Sequence, residues 1–88
     1  MTTLAEVKAF LRVNHGEDDA MLTALMLSAE DELASYLGVS ELPNKPAVIT
    51  SVCLLVRSNY ETESPDDAAR WRDVARNISH GYRVGIGV

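Results

Sequence analysis

The sequence predicts an all-α fold, a small four-helix bundle-like domain with an extended C-terminal tail. Three observations carry that prediction. Apolar residues recur at three- and four-residue steps in four separate stretches. Helix-start signals stand directly before those stretches: Thr3 with Glu6, the acids at 17–19, and Ser64 with Pro65. Between them lie short segments holding Asn14, Gly16, Gly38, Pro43 and Pro46, residues that turn a chain or stop a helix. With 88 residues the chain is one domain. The expected division is a helical domain over residues 1–80 and an apolar, glycine-rich tail over 81–88. A chain of this size buries roughly 60–65% of its unfolded surface, so association between copies would add stability.

The first helix is expected in "TTLAEVKAFLRV". Thr3 and Glu6 have capping-box spacing, and Leu4, Val7 and Leu11 share a face with Phe10 beside them. Lys8 and Arg12 fall on the other side. In the turn "NHGEDD", Gly16 can take a positive φ, and Glu17, Asp18 and Asp19 place negative charge where a helix dipole favours it. Asp18 is the expected cap. The second helix is the longest, "DAMLTALMLSAEDELASYLG". Leu22, Leu25, Met26, Ala29, Leu33, Tyr36 and Leu37 form its apolar stripe, and Met21 and Leu27 widen that stripe beyond the needs of one core. Gly38 is a helix-ending glycine.

The connector "VSELPNKP" carries two prolines in four residues and excludes a helix interior. Asn44 is placed to cap the next helix, with Pro46 in its first turn. "AVITSVCLLVRSNYETE" is the most apolar stretch. Its core "VCLLV" alone would also suit a strand, but the pattern runs too long for one, which favours a helix buried on most sides. Arg57 is expected to face solvent or a carboxylate. In "SPDD", Ser64 caps, Pro65 takes the first helical position and Asp67 completes the capping-box spacing. The fourth helix, "DDAARWRDVARNIS", turns Trp71, Val74, Ala75 and Ile78 inward. Gly81 ends it, and "YRVGIGV" follows.

Composition narrows the functional classes. The formal net charge is −5, which argues against general DNA binding, because phosphate contacts need clustered Lys and Arg. Arg70, Arg72, Arg76 and Arg83 come without a groove-reading signature. No stretch reaches the roughly 20 apolar residues of a membrane span. The start "MTTLAEVKAF" lacks the basic and apolar regions of a signal peptide, so a soluble protein made in a cytoplasm is expected. The single cysteine, Cys53, cannot form an internal disulfide and reads as a small core hydrophobe in a reducing compartment.

No catalytic constellation emerges. His15 with Glu17, Asp18 and Asp19 could hold a metal only in the right geometry, and acids at a helix start have a simpler role. His80 stands where the dipole favours a cation. The carboxylates of the second helix have no accompanying base or nucleophile. "GYRVGIG" does not stand on a strand-to-helix turn and is no phosphate loop. No catalytic, cofactor or metal residue is therefore assigned, and no enzyme activity is expected. Trp71 reads equally as a core residue or as an interface aromatic.

The charge is uneven. Eleven of the thirteen acids lie in residues 1–66, whereas four of the eight basic residues lie in the last 22. Ordinary surface variation would account for this, but opposite patches also suit head-to-tail contact between copies. On that reading Glu30, Asp31 or Glu32 of one copy meets Arg70, Arg72 or Arg76 of the next.

The order of the pieces resembles a known family. "LAEVKAFLRV", the acidic turn "EDDAML", "AEDELASYLG" and "LPNKPAVITSVCLLVRSNYE" together look like the head–tail connector (adaptor) proteins of long-tailed bacteriophages. The match runs through about Glu61; Pro46 departs from the usual pattern, and Tyr82-Arg83 is similar to a "Y-R" pair near the family's end. The resemblance implies a structural virion protein of small helical fold and no cofactor. It implies a homo-oligomeric ring of about a dozen copies between the portal and the tail or stopper proteins. DNA would pass through the channel without specific binding, and no membrane would be involved. The implied location is the virion head–tail junction, reached by assembly in the host bacterial cytoplasm. The alternative is a small, dimeric helical interaction or regulatory module unrelated to virions.

The tail fits either a neighbour or its own domain. Val84, Ile86 and Val88 alternate and would share one side of an extended strand, with Tyr82 and Arg83 leading into it. It could add to the portal or a neighbouring subunit, or fold back over Trp71.

Overall fold

The computed structural model describes residues 2–60 and 64–82. Four α-helices follow in order: α1 (Leu4–Leu11), α2 (Asp19–Leu37), α3 (Pro46–Tyr60) and α4 (Pro65–Ser79), then a short 3-10 turn, His80–Tyr82. There is no strand among the described residues. The all-α bundle-like domain expected from periodicity is therefore the fold, and the "VCLLV" stretch is helical.

The helix ends form largely as their local chemistry dictates. Thr3 Oγ1 accepts the Glu6 N–H at 3.2 Å, and Glu6 Oε1 accepts the Thr3 N–H at 2.8 Å, a complete capping box. Ser64 Oγ accepts the Asp67 N–H at 3.2 Å, with Pro65 opening α4. Gly38 closes α2 at φ 74°, and the Val39 N–H reaches back to the Ala34 carbonyl, which satisfies carbonyls the helix end would leave open. Three ends differ from expectation. The left-handed turn after α1 is made by Arg12 (φ 60°) rather than Gly16, because the Arg12 and Val13 N–H groups bond the Ala9 and Lys8 carbonyls there. Asp18 holds the cap position of α2 without a capping hydrogen bond; its Oδ2 instead accepts from the Tyr60 hydroxyl at 2.5 Å. The boundary of α3 falls at Lys45 rather than Asn44, and the Lys45 carbonyl accepts the Ile49 N–H.

α3 is the centre of the molecule. It packs on α1, α2 and α4. Val48, Ser51, Val52, Cys53, Leu54, Leu55, Val56 and Ser58 are all buried along it. Against it lie Val7 and Leu11 of α1, Leu22, Met26, Ala29, Leu33 and Leu37 of α2, and Ala75 of α4. The Lys8 ammonium meets Asp19 at 2.7 Å and pins α1 to the start of α2. Where α3 crosses α4 the contact is made by small residues. Ser51, Ala75 and Ser79 are fully buried, and both serine hydroxyls lie 2.9 Å from the Ala75 carbonyl. Hydroxyls that donate to helix carbonyls can be buried without an unpaired polar group.

Cys53 is buried, as a core hydrophobe should be. Burial pushes its thiol pKa up to about 11, with a smaller contribution from the Glu6 charge. The fold therefore favours the neutral thiol. That contribution is complete below the ordinary thiol pKa of about 8.5 and is lost as pH rises through about 11. At pH 8 a disulfide reagent should label Cys53 only as fast as the core opens, and adding denaturant should accelerate labelling in step with unfolding. Immediate labelling of the folded protein would contradict this placement.

Candidate functional site

The described residues hold no group of three or more His, Cys, Asp or Glu placed to bind a metal ion. No described helix is long and apolar enough to cross a membrane. What the fold presents instead is surfaces, and α2 organises them. At 100° per residue its buried row (Leu22, Met26, Ala29, Leu33, Leu37) lies between two flanks about 160° apart. One flank carries Glu32 and Tyr36, the other Glu30 and Ala34.

The Glu32 flank belongs to α4. Glu32 Oε2 lies 2.5 Å from the Arg72 guanidinium and 3.9 Å from that of Arg76. Arg76 also lies over the Tyr36 ring, 5.6 Å from its centroid, and the Tyr36 hydroxyl hydrogen-bonds His80 Nδ1 at 3.0 Å. The attraction expected between copies is thus satisfied within one chain for Glu32, Arg72 and Arg76. α2 and α4 are close enough for these pairs to close internally. Arg70 pairs with Asp67 one turn away, at 3.0 Å. Trp71 packs half-buried against the core with the Arg57 guanidinium 4.5 Å from its ring centroid, so Arg57 faces an aromatic ring rather than a carboxylate. Replacing Glu32 with Ala should lower stability by about 1 kcal/mol, since the pair is only partly buried. That is a melting-temperature drop of about 4–8 °C, which should shrink in 1 M salt. An unchanged melting curve would mean that the bridge does not hold α4.

The opposite flank of α2 borders a groove of about 420 Å³. Ala34, Leu42, Pro43, Val48 and Ile49 supply its apolar lining, and Glu30, Asp31 and Glu41 its acids. The chain folds this way because Gly38 ends α2, Pro43 keeps the connector out of a helix, and Pro46 opens α3. None of the three acids has an ion-pair partner among the described residues. Of the residues singled out from the sequence, Glu30 and Asp31 fall here. Glu41, Leu42 and Ile49 were not singled out. Leu42, an apolar residue between Glu41 and Pro43 in the connector, was the signal that could have revealed the groove.

Elsewhere the surface exposes Phe10, Met21, Leu27 and Ile78. Met21 and Leu27 were read as surplus to the core of α2, and they are exposed. Ile78 was expected inside; on α4 the inward position next to it is taken by Ser79, which is fully buried. Gly81 and Tyr82, read as the start of the tail, lie in the 3-10 turn, because Tyr82 packs against the core. Arg83, Val84, Ile86 and Val88 lie outside the described residues.

The fold is thus a small all-helical domain whose long helix α2 has two unlike flanks, one paired with α4 and one bordering a groove. The sequence model of the phage gp6-like head-tail connector protein family matches residues 1–83. The chain belongs to that family, and its role is that of a structural phage connector at the virion head–tail junction. The family is one of structural proteins rather than enzymes, and membership implies oligomerisation and contact with portal and tail components. No curated protein and no solved structure matches the chain.

Proposed function

We propose that this protein is a ring subunit beneath the portal. Copies close into a ring of about a dozen, each showing one face to the left and another to the right. The ring extends the DNA channel and offers the surface on which a stopper or tail-completion protein docks, after assembly in the host bacterial cytoplasm. The family match across residues 1–83 is the observation that supports this reading. The two unlike flanks of α2 agree with it, since a ring needs two different faces. Exposed Met21 and Leu27 offer apolar area for contact. The net charge of −5 suits a channel through which DNA slides without sticking.

The test is the native mass of the purified protein across concentration and salt, alone and with a portal protein. A discrete mass near a dozen subunits supports the ring, as does a monomer that assembles once the portal is added. A dimer at every concentration that ignores the portal would overturn it in favour of a regulatory module.

A further inference from the structure

We infer that the groove beside Glu30 and Ala34 is the seat for residues 83–88 of a neighbouring copy. The inference rests on the ring reading above and specifies the joint between subunits. Charge and apolarity match in order. The segment opens with Arg83 and continues with Val84, Ile86 and Val88 separated by glycines. The groove offers acids without an ion-pair partner among the described residues, Glu30, Asp31 and Glu41, beside an apolar lining of Ala34, Leu42 and Ile49. A cation followed by alternating small apolar residues is what such a groove recognises, and glycine lets the backbone lie close to it.

The geometry favours a neighbour's segment over the chain's own. The 3-10 turn that precedes residue 83 is held on the Glu32–Tyr36 flank of α2, where His80 bonds Tyr36. The groove lies on the opposite flank, about 160° around the helix. Rounding half the circumference of a helix 10–12 Å across takes ~16–19 Å of path. Six extended residues span at most ~20–22 Å, so nearly all of residues 83–88 would be spent on that path, with at most about two residues left to fill their own groove. A neighbour's groove has no such constraint. Segment and seat on opposite flanks make the contact head-to-tail, the kind that closes into rings.

The test uses the full chain with Cys53 retained. Chains carrying Ala34→Cys and chains carrying Ile86→Cys are mixed and oxidised, and a doubly substituted chain is oxidised separately. Native mass is measured in parallel, with and without the portal. The expected result is a cross-linked heterodimer from the mixture. Asp31→Lys and Arg83→Glu should each raise the concentration for half-assembly about tenfold, and the two together should recover most of the loss. An intact oligomer without any cross-link overturns the groove contact and leaves the ring standing. A cross-link confined to single, doubly substituted chains overturns it in favour of self-docking. Neither cross-link nor oligomer, with the portal present, overturns the ring as well.

Discussion

Leu55→Ala should bring the domain to the edge of unfolding. Leu55 is 1% exposed, on the helix that touches all three others. Truncating a buried leucine removes its transfer free energy and leaves a cavity, together about 2–5 kcal/mol. A domain of this length has a total stability of only about 4–13 kcal/mol. The melting temperature should therefore fall by at least about 10 °C. Leu27→Ala is the matched control: Leu27 is 53% exposed, and its loss should change stability by no more than about 0.5 kcal/mol. Equal melting temperatures for the two variants would contradict the central placement of α3.

Ala75→Leu should be nearly as damaging for the opposite reason. Ala75 is fully buried where α4 meets α3, facing Ser51, and its carbonyl takes both serine hydroxyls. A larger side chain there pushes the helices apart, at a cost of about 1–3 kcal/mol in strain. Separation also takes Ser51 away from that carbonyl, although its hydroxyl can still donate to Ala47, 2.8 Å away. Trp71, the only tryptophan, lies one turn before Ala75 and is packed against the same core. Its emission should shift toward that of exposed indole in the native baseline, before denaturant is added. A variant with wild-type emission and an unchanged urea midpoint would show that the crossing has room to spare.

Much of this arrangement was legible in the sequence, and the reason is range. The Thr3 capping box, the Ser64-Pro65 start and the Gly38 stop each involve residues within one or two turns, so spacing alone reveals them. The buried stripe of α2 was legible because burial repeats with the helix. What escaped was decided by contacts between distant residues. Asp18 looks like a cap until Tyr60, 42 residues later, arrives to donate to it. Ser51 and Ser79 carry hydroxyls that nothing in the spacing marks as buried, yet a helix carbonyl within reach lets both be buried. The acid–arginine attraction was visible as charge, but only the fold shows that Glu32 meets Arg72 and Arg76 of its own chain. The groove was hidden because its walls come from α2, the connector and α3 together.

The enclosure of α3 by the other three helices divides the effects of mutation in a living phage. Partners cannot reach most of its surface, so a change there acts through the amount of folded protein. Such alleles should be temperature-sensitive and rescued by growth in the cold or by overexpression. Changes at Glu30, Asp31 or Glu41 leave the interior untouched, so they should yield normal amounts of protein and too few infectious particles at every temperature.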